Sequence, residues 1–181
     1  MAQTRADLIR FLSEYKSTYT EESIFIADFL SLLNASTCYE RTHLPGHITG
    51  SAWIVTPERD HVLLVHHAKL NRWLQPGGHA DGDENVLRVA LREAEEETGL
   101  KNFKIVDQRP FDVDIHLIPE RKDFPDHYHY DVRFLMEASR DEKIIVSEES
   151  HDVKWIVLDE LENYTTEQSV LRMKAKLLRA D

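Results

Sequence analysis

The chain has 181 residues, and its 33 acidic residues outnumber its 22 basic residues, which gives a formal net charge of −11. This length is typical of one domain, and a hydrophobic fraction of 41% predicts a folded core. The acidic balance disfavours a protein that binds nucleic-acid polymers or docks on anionic membranes, because both need a basic face. It also disfavours phosphate-bearing ligands, unless metal ions intervene.

The single cysteine, Cys38, excludes an intramolecular disulfide framework and favours a reducing compartment. The first residues lack the basic stretch and apolar run of a signal peptide. No segment reaches the roughly 20 apolar residues of a membrane-spanning helix. We therefore expect a cytoplasmic protein without a membrane partner.

In chain order, residues 1–40 carry two helical patterns of apolar side chains. Such a pair packs on its own domain or on a second copy of the chain, so a homodimer is one expectation. From His47 onward β-rich runs alternate with turns, and a glycine-rich acidic loop over 74–83 leads into a helix that ends at Gly99. Further strands and a last helix over 167–178 follow. This order predicts an α/β fold with helices packed on a mixed sheet.

The helix before Gly99 places three carboxylates on one face, beside its apolar positions: Glu93, Glu96 and Glu97. Like charges at this spacing repel, and an arbitrary stripe of this kind is usually a solvated surface. Here the stripe borders the apolar arc, and a glycine loop precedes the helix. Carboxylate oxygens are the ligands that Mg²⁺ takes in proteins, and a metal ion would relieve the repulsion.

The residues from Gly78 to Leu100 follow the spacing G-x5-E-x7-R-E-U-x-E-E-x-G-U, where U is a bulky aliphatic residue. This segment resembles the Nudix box, the signature of the Nudix hydrolase family. Every fixed position matches, and Ala94 at one aliphatic position is a mild departure that affects packing more than chemistry. The resemblance predicts a Nudix hydrolase domain over 41–181 and a helical N-terminal extension over 1–40.

The resemblance implies an α/β/α sandwich with a mixed sheet, in which the box forms a loop, a helix and a second loop. It also implies Mg²⁺- or Mn²⁺-dependent hydrolysis of a diphosphate linked to another moiety, such as a nucleoside-diphosphate derivative. Within the box, Arg92 corresponds to the arginine that orients a box glutamate, and Glu84 corresponds to a weaker metal ligand or a loop brace. The implied metal-binding positions are Gly78, through its carbonyl, Glu93, Glu96 and Glu97.

Glu149 precedes a late strand, where many Nudix proteins carry an acidic residue that joins the metals or acts as the base. Glu93 is the other candidate base, so the expected catalytic residues are Arg92, Glu93, Glu96 and Glu149. Cations near an anionic substrate, and histidines that donate to phosphate, give four expected substrate contacts: Lys69, His79, His129 and Arg133. His127 and His129 would face the same side of a strand, where they line a substrate pocket or form a second metal site. No HExxH motif or short paired spacing predicts a zinc enzyme.

Two other functions share this fold. A non-catalytic Nudix-fold module that binds nucleotides is expected to have lost box glutamates, whereas this box is intact. An enzyme of the isopentenyl-diphosphate isomerase type would carry a cysteine in a Cys-Ser-His-Pro context, whereas Cys38 lies in Cys-Tyr-Glu-Arg. Fold and box do not set the substrate, so the particular small molecule stays open.

Overall fold

The computed structural model describes residues 3–121, 124–148 and 150–179. The helices in these ranges are α1 (Arg5–Glu14), α2 (Thr20–Leu32), α3 (Val86–Thr98), α4 (Gln168–Leu177) and a 3₁₀ helix at Leu158–Asn163. The strands are β1 (Gly46–Val55), β2 (His61–His67), β3 (Arg72–Leu74), β4 (Gly77–His79), β5 (Lys104–Ile105), β6 (Asp112–Ile118), β7 (His127–Glu137) and β8 (Ser150–Val157). None of the helices in these ranges has the length and apolar character that a membrane span requires.

Strand β1 lies at the centre of a mixed sheet. It pairs in parallel with β7 along its whole length, from Gly46 opposite Tyr128 to Val55 opposite Glu137. Its other edge is shared by β4 and, at its end, by β2, and both of these are antiparallel to it. Strands β6 and β5 extend the sheet beyond β7, while β8 and β3 pair with β2. The predicted mixed sheet is therefore confirmed.

Different helices cover the two faces of β1, and this produces three layers. Ile54 packs in one core cluster with Ala90 of α3, whereas its neighbour Trp53 packs in a second cluster with Met173 of α4. Because successive strand residues point to opposite faces, a strand between two helical layers has no solvent side. Every residue of β1 is accordingly buried. The α/β class and the sandwich architecture are as expected.

The two predicted N-terminal helices form, and they pack on the core of their own chain. Thr4 caps α1, since its side-chain oxygen accepts a hydrogen bond from the backbone N–H of Asp7 at 3.2 Å. The apolar stripes of α1 and α2, together with Leu33 directly after α2, enter the cluster beneath α3. Four side chains here are no more than 2% exposed: Leu8, Leu12, Phe29 and Leu33. The expected homodimer stays a prediction, and it would have to use other surfaces than these side chains.

A buried carboxylate joins α2 to the C-terminal helix. Glu22 is fully buried and accepts hydrogen bonds from the Tyr15 hydroxyl at 2.9 Å and from Lys176 of α4. Its Oε1 also accepts the backbone N–H of Val113 in β6 at 3.3 Å. Buried charges are stable only when they are paired and hydrogen-bonded, so these contacts fix the N-terminal helices to the sheet and to α4.

Candidate active site

Helix α3 carries the box glutamates, and it is seated closely on β1. Its N-terminus is capped by Asn85, whose side-chain oxygen accepts the N–H of Arg88 at 3.1 Å. It ends at Gly99, which has a φ of 75°, the left-handed conformation that favours glycine at a helix C-terminus. A Cβ on Gly50 of β1 would lie 2.8 Å from the carbonyl oxygen of Val86. This close packing fixes the direction in which the glutamates of α3 point.

Two of the three expected metal-binding glutamates face strand β4. The carboxyl carbon of Glu93 is so close to Gly78 that a Cβ on this glycine would lie 2.5 Å from it. The backbone N–H of Gly77 donates to Glu97 Oε1 at 3.5 Å. Glu96 is exposed on the same helix. The structure thus brings Glu93 and Glu97 together beside the glycines, with Glu96 toward solvent.

Arg92 connects the helix to the same strand. Its Nη2 donates to the carbonyl oxygen of His79 at 2.8 Å and to Glu93 Oε1 at 2.6 Å. Hydrogen bonds between ionised groups are short and directional, so this arginine holds the Glu93 carboxylate in one orientation. Its position agrees with the orienting role that the resemblance implies.

The acidic residues of the loop before α3 are paired with arginines. Arg41 pairs with Asp81, Arg88 with Asp83, and Arg5 with Glu84. Hydrogen bonds from the arginines lower the pKa values of Asp81 and Asp83 below the ordinary range. Of the two roles expected for Glu84, its 2.8 Å contact with Arg5 of α1 favours the loop brace.

The donor set beside Gly78 suits a hard divalent cation. It combines the carboxylates of Glu93 and Glu97 with the backbone of β4, and Mg²⁺ and Mn²⁺ prefer oxygen ligands. A side chain at position 78 would fill the space in front of Glu93. The residues present therefore fit the metal that the resemblance implies.

Imidazole rings gather on the opposite side of β4. His79 follows Gly78 and points away from the glutamates, since strand residues alternate between faces. Its ring centroid lies 5.2 Å from that of His47 in β1 and 4.9 Å from that of His129 in β7. His127 lies 5.3 Å from His129 and 5.0 Å from His47, so the expected same-side placement of His127 and His129 is confirmed. His116 of β6 joins the cluster at 5.5 Å from His129.

Burial keeps two of these imidazoles neutral. His47 is 1% exposed, and burial lowers its pKa to about 4. Burial, reinforced by repulsion from His79 and other neighbouring histidines, lowers the pKa of His129 to about 2. Near pH 7 neither ring carries the positive charge that would attract a phosphate group.

Arg133 lies in a buried ion network. Its side chain is 3% exposed, and its Nε donates to Asp131 at 2.7 Å. Its two Nη atoms donate to Asp112 and Asp114, each at 3.2 Å. Burial alone would lower the pKa of Arg133, but attraction by Asp114, Asp131 and Asp112 outweighs it and raises the pKa. The donors of Arg133 are used inside the fold, and its position does not support the expected phosphate contact.

Asp131 is a buried polar residue that the sequence did not single out. Its carboxylate accepts hydrogen bonds from Thr49 at 3.1 Å and Ser51 at 2.7 Å, both on β1, as well as from Arg133. It lies two residues after His129 on the same face of β7. The alternating pattern His127, His129, Asp131 and Arg133 is the signal that would have found this row.

Known proteins are similar to this chain over most of its length. The NUDIX domain family model matches residues 46–177. The chain belongs to the Nudix hydrolase family. The probable DHNTP pyrophosphohydrolase of Lactococcus lactis subsp. cremoris (strain MG1363) is 29% identical to this Nudix protein over 139 residues, which are 75% of this chain and 81% of the relative.

Two further relatives extend the comparison. The asymmetrical bis(5'-nucleosyl)-tetraphosphatase of Rattus norvegicus is 32% identical over 100 residues, which are 55% of this chain and 65% of that protein. Among solved structures, a NUDIX-family hydrolase from Clostridium perfringens superposes with a TM-score of 0.59 at 24% identity, covering 75% of this chain and 98% of that one. That likeness shows a shared fold.

Two expected site residues lie away from the contacts described above. Lys69 is exposed in the turn between β2 and β3, where its backbone N–H donates to His67 Nδ1 at 3.2 Å. Glu149 lies outside the described residues, so its role as a candidate base of this Nudix protein stays a prediction.

Proposed function

We propose that this protein hydrolyses a diphosphate bond in a small molecule of the nucleoside-diphosphate type, with Mg²⁺ or Mn²⁺ as the cofactor. One observation carries the proposal: Glu93 and Glu97 lie against Gly77 and Gly78, and Arg92 fixes Glu93 in place. Two relatives are named a pyrophosphohydrolase and a tetraphosphatase, and these names support a substrate with linked phosphates.

The metal would be held by the carboxylates of Glu93, Glu96 and Glu97 and by the carbonyl oxygen of Gly78. When bound, a divalent ion of this kind neutralises phosphate charge and makes a coordinated water more acidic. The acidic character of the helix is then a requirement of the site, because the carboxylates compensate for the charge of the ion. The same acidity still disfavours nucleic-acid polymers as substrates.

The reaction needs a base that accepts a proton from the attacking water. We assign this role to Glu93, whose Oε1 is held by Arg92 at 2.6 Å. The water oxygen forms a new bond to one phosphorus, the bridging P–O bond breaks, and the departing phosphate oxygen takes up a proton. Glu149 is the alternative base, and a pH–rate profile of Glu149→Gln separates the two assignments. Loss of the low-pH limb of that profile in Glu149→Gln, and its retention in Glu93→Gln, would favour Glu149.

Among the expected substrate contacts, we keep Lys69, which is exposed and offers a positive charge. His79 is left out, because its ring points away from the glutamates and lies among the other histidines. His129 and Arg133 are left out as well, because one is neutral and the other pairs with three buried aspartates. A cytoplasmic location also belongs to the proposal, and the reduced state that a lone cysteine favours supports it.

The test is a substrate panel with a matched pair of variants. The panel contains DHNTP, a dinucleoside tetraphosphate and nucleoside-diphosphate derivatives, assayed with Mg²⁺ or Mn²⁺ by chromatographic separation of each substrate from its phosphorylated products. We expect turnover of at least one compound, lost in Glu97→Gln and kept in Glu95→Gln. Glu95 is a matched control because it lies on the same helix and pairs with Lys101 at 3.2 Å. Nucleotide binding without turnover of any compound would contradict the proposal and favour a non-catalytic binding module.

A further inference from the structure

Three histidines of β1 and β7, on the face of the sheet opposite the glutamates, have the arrangement of metal ligands. One ring nitrogen from each of His47, His127 and His129 can be chosen so that the three atoms lie within 4.8 Å of one another. They come from the first residues of β1 and β7, which pair in parallel with His47 opposite His129. Two of the three residues are buried and the third is partly buried. Rigid strands therefore hold three nitrogen donors at one point.

Two of the ring nitrogens are buried without a partner. Within residues 3–121, 124–148 and 150–179, Nε2 of His47 and Nε2 of His129 have no hydrogen-bond partner. A buried polar atom that has lost water and gained no partner destabilises a fold, and this cluster contains two such atoms. A ligand that accepts their lone pairs would remove this destabilisation.

Backbone carbonyls select the tautomer that a metal ligand needs. His127 Nδ1 donates to the carbonyl oxygen of Pro125 at 2.9 Å, and His47 Nδ1 is 3.4 Å from the carbonyl oxygen of His43. With the proton on Nδ1, the lone pair lies on Nε2. Metal-binding histidines are typically oriented in this way, by a carbonyl or carboxylate that accepts from the other ring nitrogen.

We propose that His47, His127 and His129 form a binding site for a divalent transition metal of the zinc type, separate from the carboxylate site on the other side of β4. Imidazole nitrogen is a preferred ligand of zinc and its neighbours in the first transition row, whereas Mg²⁺ prefers oxygen. His79 and His116 flank the three ligands, and the fourth position of a tetrahedral ion falls to one of them or to solvent. The site does not depend on the proposed hydrolysis.

Two simpler explanations of the cluster account for less. Close packing of aromatic rings would explain the stacked geometry of His47 and His127, but it leaves the two buried Nε2 atoms unpartnered. An anion site would need ring N–H donors directed into the cluster, whereas the Nδ1 protons of His47 and His127 are directed at backbone carbonyls.

The experiment measures zinc binding by the full chain. The protein is stripped with a chelator and titrated with Zn²⁺ in excess Mg²⁺, so that the carboxylate site is already filled. The ligand variants are His47→Gln and His127→Gln, and Glu97→Gln tests the other side of β4. His61→Gln is the control, since His61 lies near the far end of β1 and pairs with Asp60 at 2.8 Å. Titration with Co²⁺ adds an absorption spectrum that reports the ligand geometry.

We expect one zinc ion per chain in the wild type, in His61→Gln and in Glu97→Gln. Each ligand variant should lose at least about 100-fold in zinc affinity, because removing even a second-shell partner costs about 10–100-fold. Tetrahedral Co²⁺ bands should disappear in the same variants.

Three results would overturn the site: no zinc bound by the wild type in excess Mg²⁺, unchanged zinc affinity in both folded ligand variants, or zinc loss in Glu97→Gln alone. If His47→Gln fails to fold, His127→Gln decides the question, because His127 lies at the first position of its strand. Failure of the hydrolysis panel leaves this result unaffected.

Discussion

The two sides of strand β4 offer opposite coordination chemistry within three residues. On the side of Gly78 the donors are the carboxylates of Glu93 and Glu97, and on the side of His79 they are imidazole nitrogens. Strand alternation produces this separation, because Gly78 faces α3 while its two neighbours face away from it. One short strand can thus keep an oxygen site and a nitrogen site adjacent but distinct.

The two sides also differ in how charge is compensated. On the carboxylate side, arginines compensate the loop acids and Arg92 contacts Glu93. On the histidine side, burial removes the charge by keeping the rings neutral. Under the two proposals, an acidic chain has a site for a hard cation beside one suited to a softer cation, and variants on each side should have separable effects.

The largest expected effect is on the carboxylate side. Glu93→Gln removes the proposed base and one metal-binding charge, so kcat should fall by about 10²–10⁴-fold, the range typical of general base catalysis. Steady-state kinetics at saturating Mg²⁺ measure this, with Glu95→Gln as the control. Equal rates for Glu93→Gln and the wild type would remove Glu93 from the mechanism.

The next effect is on stability, on the histidine side. Arg133→Met leaves Asp131 without its buried charge partner and removes one of the partners of Asp112 and Asp114, so the free energy of unfolding should fall by about 3–5 kcal/mol. Arg109→Met, at an exposed pair with Asp107, should change it by no more than about 1 kcal/mol. Urea unfolding compares the two. A stable Arg133→Met protein with a raised KM would instead restore Arg133 as a substrate contact.

A smaller loss of activity should follow Gly78→Ala. The new Cβ would lie 2.5 Å from the Glu93 carboxyl carbon, so the carboxylate must move away from the strand. We expect kcat to fall about 10-fold, since misplacing a catalytic group by about 1 Å can cost up to about 100-fold. Glu95→Ala serves as the comparison on the same helix. Wild-type kinetics in a folded Gly78→Ala protein would argue that Glu93 does not act from this position.

The smallest expected effect is a pH dependence of stability. Burial alone would raise the pKa values of Asp112 and Asp114, but Arg172 and Arg133 outweigh it and lower both. The unfolded chain therefore binds more protons than the folded protein below about pH 5, and the stability these carboxylates provide at neutral pH is lost as the pH falls. Urea unfolding between pH 7 and pH 3 should show this loss, with a shallower slope in Arg133→Met. An identical slope in both proteins would count against the network.

The placement of the box glutamates on α3 could be predicted from the sequence because it is local, whereas their roles stay predictions. Helical periodicity alone places Glu93, Glu96 and Glu97 on one face, and Gly99 marks the end of the helix. The orienting role of Arg92 came from the resemblance to the Nudix box, and its partners lie on the adjacent residue and on the preceding strand.

The histidine side depends on long-range pairing that no local pattern specifies. His47 meets His129 only because β1 and β7 pair in parallel at that register. Arg133 was expected at the substrate because an anionic substrate needs cations nearby. Its partner Asp112 lies directly opposite it only through the antiparallel register of β6, which no local pattern specifies. Helical patterns likewise predicted α1 and α2, but not that Arg5 would brace Glu84 of the box loop.

Direct binding of Mn²⁺ tests the central assignment most closely. Free and bound Mn²⁺ are distinguished by electron paramagnetic resonance, which reports the site without any substrate. We predict that Glu97→Gln weakens Mn²⁺ binding by at least about 10-fold, while Glu95→Gln and His127→Gln bind like the wild type. Mn²⁺ binding that is unchanged in Glu97→Gln, or lost in His127→Gln, would contradict the assignment of the metal to the box glutamates.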